Sequence, residues 1–323
     1  MFKIALAFIT LKSFVAYGLR PAVVEFNTFM DRFGKNYSPE EYDLRFDIFR
    51  NNLARIEEHN RGNHSWRMGV NAFADLTSEE FRMRYLGFKR PSNPDIPRLT
   101  DYSLKNLKDL PKEVDWRTKD VVNPVKDQGQ CGSCWAFSTI GSLESAWAIK
   151  TRKLYSLSEQ QLVDCSGSYG NQGCNGGLMQ DAFQYAEKNA LCSEDDYSYT
   201  AKDGTCKTCK GLVKVKSYVD VPQNDEKALQ AAIVLQPVSV AIEADTDIQL
   251  YSSGIIDNPK CGENLDHGVI SVGFGTENGK DYYIVRNSWG SSWGESGYFR
   301  LARNVASPSG MCGIAMQPSY PVV

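Results

Sequence analysis

The chain has 323 residues, too many for one ordinary domain and about right for two. Apolar residues make up 42% and charged residues 23%, the balance of a packed globular protein, and a net charge of −3 argues against nucleic acid as a partner. No run of eighteen or more apolar residues lies beyond the first two dozen, which excludes a membrane-spanning enzyme.

The chain opens as a secretory leader: a basic start at Lys3, an apolar run from Ile4 to Leu11 broken only by Thr10, and a small-x-small site at Ala16-Tyr17-Gly18. Cleavage is expected after Gly18, although Lys12 interrupts the pattern. Asn36-Tyr37-Ser38 and Asn63-His64-Ser65 are glycosylation triplets, the first weakened by Pro39. Val24, Phe26, Phe29, Met30 and Phe33 predict a short helix ended at Gly34. Ser38-Pro39-Glu40-Glu41 predicts the start of a second, with Ser38 as cap, Pro39 in the first turn and Glu41 completing a capping box. Tyr42, Phe46, Phe49, Leu53 and Ile56 then recur at alternating steps of four and three, an apolar stripe running to about Asn60. Arg45, four residues after Glu41, stands at ion-pair spacing.

A helical hairpin explains the apolar stripe but not the polar positions beside it. Glu41, Arg45, Phe49, Asn52, Ile56 and Asn60 match the E-x3-R-x3-F-x2-N-x3-I-x3-N pattern of papain-family propeptides. Gly69, Asn71, Phe73 and Asp75 match the companion G-x-N-x-F-x-D segment. The region therefore resembles the inhibitory propeptide of the cathepsin L-like branch. The resemblance implies a helical part followed by an extended segment that runs through an active-site cleft backwards relative to substrate. Pro91, Pro94 and Pro97 mark an extended linker.

All nine cysteines lie between residues 131 and 312. In an oxidising compartment most would pair, and the odd number leaves one thiol over or a bond to another chain. Charge divides the chain at the same place: residues 19–109 carry net +1 and residues 110–323 net −6, so the two parts attract and acidification weakens that attraction.

Gln128-Gly129-Gln130-Cys131-Gly132-Ser133-Cys134-Trp135 is the central motif. Trp135, Phe137, Ile140, Leu143 and Trp147 read as the apolar side of a helix, which places Cys134 at its N-terminus. Unpaired N–H groups and the helix dipole favour a thiolate there. A redox Cys-x-x-Cys pair lacks the strand–motif–helix module around it, and a zinc site with Cys206 and Cys209 lacks the spacing. The remaining reading, a structural Cys131 beside a free nucleophilic Cys134, uses the odd count and the helix position together. Beyond Leu110 there is one histidine, His267, so it is the only candidate for a histidine base. Leu265-Asp266-His267-Gly268 opens a strand with small residues. Tyr282 to Arg286 reads as another, ending in Asn287-Ser288-Trp289-Gly290.

Cys131-Gly132-Ser133-Cys134-Trp135 is the local signature of papain and the cathepsins. With it, the region from Leu110 onward resembles a papain-like cysteine peptidase, and the whole chain resembles its precursor: leader 1–18, inhibitory propeptide 19–109, mature peptidase 110–323. The resemblance implies an α+β fold of two lobes, one helical around the Cys134 helix and one strand-rich and barrel-like, with the substrate cleft between them. It implies Cys134 as nucleophile, His267 as base and then acid, Asn287 as orienter of the imidazole, Trp289 as shield of that bond, and Gln128 as oxyanion donor beside the Cys134 N–H. It implies disulfides Cys131–Cys174, Cys165–Cys206 and Cys261–Cys312, leaving Cys192 and Cys209 for a fourth bridge, with exchange between Cys206 and Cys209 open.

For substrate, the resemblance implies Gly176 and Gly177 pairing with its backbone, Leu178, Met179, Ala241, Leu265, Gly268 and Gln317 forming the P2 pocket, and Asp266 and Trp289 among the residues that bind it. Neutral Gln317 at the base predicts apolar P2 residues over Arg. Endopeptidase action is expected because no inserted loop with spare histidines is present. The chain ends at Tyr320-Pro321-Val322-Val323 without a Lys-Asp-Glu-Leu tail. Partners are then protein and peptide substrates and the chain's own propeptide, with no cofactor or metal, in a monomer of the lysosome, vacuole or extracellular space. The alternative is a catalytically silent binding or storage relative, but neither nucleophile nor base is replaced.

Overall fold

The structure, a computed structural model, describes residues 22–89, 109–244 and 246–323. The expected leader and the linker prolines Pro91, Pro94 and Pro97 lie outside the described residues.

The N-terminal region folds as a helix over 22–33 (α1), the long helix Pro39–Arg61 (α2), the short strand Trp66–Met68 (β1) and the helix Ser78–Tyr85 (α3). Ser38 caps α2 by accepting the Glu41 N–H, but the reciprocal half of the expected capping box is not made. Glu41 instead turns its carboxylate to Arg45, at 2.9 Å. A complete capping box stands at α3, between Thr77 and Glu80.

The polar positions of α2 have structural work of their own. Arg45, buried, reaches Glu80 at 2.8 Å and the Asp75 carbonyl at 3.1 Å. Asn52 donates to the Ala74 and Leu76 carbonyls, and Asn60 pairs with Met68 in both directions. Asp75 accepts from Lys35 and Tyr37. These bonds satisfy buried backbone groups that water cannot reach, and so hold the irregular chain from Met68 to Leu76 against the helix. Phe49 and Ile56 fill the space beneath, Phe49 against Phe26 and Phe29.

Residues 109–244 and 246–323 form two lobes. One is built on Cys134–Thr151 (α4), Glu159–Cys165 (α5) and Met179–Lys188 (α6). The expectation of one apolar side on α4 is too narrow: from Cys134 to Ala146 every residue is buried, so this is a central helix with neighbours all round. The other lobe holds Val114–Asp115 (β2), Ser217–Asp220 (β3), Glu226–Leu235 (α7), Val238–Ile242 (β4), Thr246–Gln249 (α8), Tyr251–Ile256 (β5), His267–Glu277 (β6), Lys280–Arg286 (β7), Tyr298–Ala302 (β8) and Ser319–Val322 (β9). The sheet runs β1-β5-β8-β7-β6-β4-β9-β3, with β2 on β6. Its pairings are antiparallel except β5 with β8. The fold is thus α+β with two lobes.

β1 belongs to the N-terminal region yet occupies the edge of this sheet, beside β5. Asn71 donates to the Gln249 carbonyl, and the Gln249 amide returns bonds to the Phe73 and Leu76 carbonyls. One continuous apolar cluster runs from Phe26 and Phe49 through Phe73 and Trp289 to Phe299. The N-terminal region is therefore docked as part of the strand-rich lobe's core.

The cysteines pair as Cys131–Cys174, Cys165–Cys206, Cys192–Cys209 and Cys261–Cys312, leaving Cys134 free. Thiol titration of the protein, unfolded but not reduced, should therefore count one thiol. A count of three would remove one of these bridges.

Candidate active site

Two elements meet at the junction of the lobes. Gly132 and Ser133 lead into α4, and the Ala136 and Phe137 N–H groups fold back on the Ser133 carbonyl, so Cys134 is its first residue. β6 passes across that helix start with Gly268, where a Cβ would stand 3.2 Å from the Trp135 Cα and from the Met179 Sδ. The absent side chain lets the Gly268 N–H reach the Cys134 Sγ, at 3.3 Å, and brings His267, the preceding residue, into the same cleft.

His267 is fully buried. Its Nε2 lies 2.8 Å from the Asn287 Oδ1. The same oxygen accepts the Ser288 N–H, also at 2.8 Å, so it is an acceptor and Nε2 carries the ring proton. Nδ1, also buried, makes no hydrogen bond and keeps its lone pair. Trp289 stacks on the imidazole with centroids 4.5 Å apart. Gln128 comes from the loop before α4. Its Oε1 accepts from the Ser288 hydroxyl at 2.6 Å, which orients Nε2 toward the cleft.

The N-terminal region runs through this cleft. The Tyr85 carbonyl takes the Gln128 Nε2–H at 2.8 Å. Gly87 passes so close to Gly132 that a Cβ on it would stand 1.9 Å from the Gly132 carbonyl oxygen. The Gly87 N–H faces the Cys134 sulfur. Phe88 then forms a parallel bridge with Gly177: the Gly177 N–H donates to the Gly87 carbonyl and the Lys89 N–H to the Gly177 carbonyl. The Phe88 N–H goes to the Asp266 carbonyl, and its ring joins the apolar cluster of Met179, Ala241 and Leu265, with Leu178 and Met316 at the margin. Gln317 is buried, next in sequence to Met316. Asp266 fixes the Ala244 N–H with its carboxylate, and Arg82 lies 3.7 Å from it. Gly176, with φ +111, packs under the Gly87 carbonyl. Phe73 and Phe81 meet the Trp289 ring edge-on at 5.6 and 5.0 Å.

This covering decides the charge state. A thiolate at Cys134 was the expectation from the helix N-terminus, but burial pushes the thiol up to about 11. The N–H groups of Gly268, Gly87 and Trp135 pull the other way and lose. Burial also pushes His267 down to about 4, with the Asn287 bond opposing. A helix terminus contributes at most about 2 kcal/mol in favourable geometry, and shielding from water on every side outweighs it. In the closed chain burial therefore favours the uncharged form of each, thiol and imidazole.

The structure thus brings Cys134, His267, Asn287, Gln128, Trp289, Gly177 and the apolar pocket residues into one cleft. Sequence reasoning missed Tyr85, Phe88 and Ser288. Ser288 lay inside the Asn-Ser-Trp-Gly run, whereas Phe88 had only an apolar residue after Leu86-Gly87 as its signal. Among the described residues no cluster of His, Cys, Asp or Glu could hold a metal ion, and no helix is long and apolar enough to cross a membrane.

A two-lobed α+β fold with a cysteine at a helix start, a histidine–asparagine pair across the cleft and an N-terminal segment bonded through it defines a zymogen-like arrangement of the thiol-peptidase class. Comparison with known proteins gives the family. Residues 110–322 match the papain family cysteine proteases and residues 26–81 the cathepsin propeptide inhibitor domain. The chain belongs to the papain family. It is 54% identical to cysteine proteinase RD21A of Arabidopsis thaliana over 288 residues, 87% of this chain and 62% of that protein. It is 52% identical to the oryzain beta chain of Oryza sativa subsp. japonica, over 87% of this chain and 62% of that protein. It therefore spans about three fifths of the length of these curated relatives. Among solved structures, a recombinant stem bromelain precursor superposes with TM-score 0.86 at 40% identity, covering 94% of this chain and 99% of that one. Digestive procathepsin L 3 of the Tenebrio molitor larval midgut gives 0.84 at 40%, with the same coverage.

Proposed function

We propose that the chain is the inhibited precursor of a cysteine endopeptidase with an apolar P2 preference. The observation that carries this reading is the free Cys134 at the start of α4, its sulfur taking the N–H of Gly268 next to the oriented His267, with Tyr85 to Lys89 bonded across the cleft to Gln128, Asp266 and Gly177. Once the cleft opens, the Cys134 sulfur attacks the substrate carbonyl after His267 Nδ1 takes its proton. The oxyanion is held by the Gln128 amide and the Cys134 N–H, His267 protonates the leaving amine, and water then hydrolyses the thioester. Asn287 and Trp289 keep the imidazole oriented and its bond dry.

Gly176 and Gly177 would pair with the substrate backbone where Phe88 now bridges. Leu178, Met179, Ala241, Leu265, Gly268 and Gln317, with Met316, would form the P2 pocket. Phe88 sits there at present, and burying such a side chain is worth about 1.5–3 kcal/mol. We place the removable inhibitor at 19–109 and the mature peptidase at 110–323, after a leader at 1–18. Four disulfides support a secretory compartment, whether lysosomal, vacuolar or extracellular. Asn36 and Asn63 are exposed, as glycan acceptors must be.

Acid should open the cleft, and the sign follows from the histidines. His59, stacked between His64 and Trp66 beside β1, is lowered by burial, and so is His267. A released state with solvated rings near 6.5 binds more protons than the docked one. Docking is therefore fully stabilised above about pH 6.5 and weakens as pH falls toward 4. The test brings the full chain to about pH 4.5, inside that window, and assays dipeptidyl substrates with Leu, Phe or Arg at P2. Activity should appear with loss of residues 1–109, with Leu and Phe well ahead of Arg. Equal rates for Arg and Leu would overturn the pocket assignment, and no hydrolysis of any peptide would overturn the function.

A further inference from the structure

We propose that Tyr199 is a positioning residue that holds the two oxyanion donors in register, an inference that rests on the function proposed above. The Tyr199 hydroxyl donates to the Gln128 backbone carbonyl at 2.8 Å and stands 2.6 Å from the Ser133 hydroxyl. A carbonyl can only accept, and a phenol has one proton to give. The direction of the chain is therefore settled: Ser133 donates to Tyr199, and Tyr199 donates to Gln128.

The two ends of this chain are the parts of the site that must agree. Gln128 supplies its side-chain amide to the oxyanion. Ser133 immediately precedes Cys134, whose own N–H is the second donor. Ser133 stands at the cap position of α4, makes no cap bond with its side chain, and gives its hydroxyl proton to Tyr199. The loop between the two contains Gly129 and Gly132 and is pinned at Cys131, whose carbonyl also accepts from the Gln128 Nε2 at 2.8 Å and whose sulfur is bridged to Cys174; Tyr199 adds a tie between Gln128 and Ser133 themselves. On its other side Gln128 is held by Ser288, whose carbonyl accepts the Gln128 N–H at 2.8 Å and whose hydroxyl fixes Oε1 at 2.6 Å. Gln128 is thus clamped between Ser288 and Tyr199.

Tyr199 is itself braced. Its N–H donates to Glu194 at 2.8 Å, and its ring meets Phe137 of α4 edge-on at 4.9 Å. Glu194 lies 3.4 Å from the Lys126 ammonium, which also bonds the buried Glu159 at 2.8 Å. None of these groups belongs to residues 22–89, so the brace persists when the cleft opens and the Gln128 Nε2–H is freed from Tyr85.

The experiment is a cycle on the matured enzyme. Tyr199→Phe should lower kcat about tenfold, a fraction of the roughly hundredfold or greater loss from deleting an oxyanion donor, with KM changed less than about twofold. In a Gln128→Ala background, where the positioned amide is already gone, the same substitution should cost less than about threefold. An unchanged kcat, or an equal loss in both backgrounds, would overturn the proposal. Should Tyr199→Phe fail to fold, Ser133→Ala cuts the same chain at its other end and is put through the same cycle. The Gln128 side-chain amide, followed by 15N NMR, gives a readout that needs no turnover. Its single environment should broaden or shift in Tyr199→Phe, and an unmoved signal would sink the positioning role. If the unsubstituted enzyme hydrolyses nothing while that signal still moves, the positioning stands and the proposed function falls.

Discussion

Replacing Cys134 with alanine is expected to lower peptide hydrolysis by the matured chain by roughly a millionfold. In the mechanism proposed above the loss is large because the sulfur forms the covalent intermediate. Without it His267 has no proton to take, and Asn287 and Trp289 orient a base with no task. What remains is the oxyanion pair and substrate binding, worth about a thousandfold over water in analogous enzymes. Because these groups act as a unit, adding His267→Ala to the Cys134→Ala variant should cost almost nothing more. The four disulfides do not involve Cys134, so retention of all four and an unchanged melting temperature will show that the variant is folded. A folded variant hydrolysing at the unsubstituted rate would end the assignment.

The second large effect concerns reactivity. In the full chain at neutral pH, Cys134 should react with a small alkylating agent at least a hundredfold more slowly than in the matured protein. Moving the thiol from its ordinary range to about 11 removes about two decades of thiolate, and Gly87 also blocks the approach. Release of residues 22–89 reverses both: it opens the sulfur to water and lets His267 return toward the ordinary histidine range, where an imidazolium can stabilise the thiolate. The measurement is the rate of iodoacetamide labelling at the Cys134 peptide, before and after maturation at one pH. Equal rates would mean that the covering segment does not control the nucleophile.

Much of the site was legible because it rests on residues that are scarce or rigidly spaced. His267 stood out as the sole histidine after Leu110, and Cys134 by parity and its place at a helix start. The α2 pattern was legible as a pattern, but not its physics: that Arg45 would reach Glu80, or that Asn60 would pair with Met68, depends on how the chain returns after the helix. The missing capping-box bond is the same lesson in reverse, since Arg45 outcompetes the Ser38 N–H for Glu41. Phe88 and Tyr199 were illegible for a further reason. Each acts through a backbone group far away in sequence, Gly177 for one and Gln128 for the other, and backbone groups leave no mark on residue identity. The thiolate expectation counted the local helix field and not the shielding by a segment some fifty residues upstream, which in the closed chain pushes the thiol up.

The direction of the parallel bridge at Phe88 has a consequence of its own. The parallel bridge brings the Gly87 N–H, and not a carbonyl carbon, to the Cys134 sulfur. An N–H offers a nucleophile nothing to attack, so in the proposed mechanism the segment blocks the sulfur at that point without serving as its substrate. At Gly87 the backbone itself is the fitted part, because a Cβ there would stand 1.9 Å from the Gly132 carbonyl oxygen.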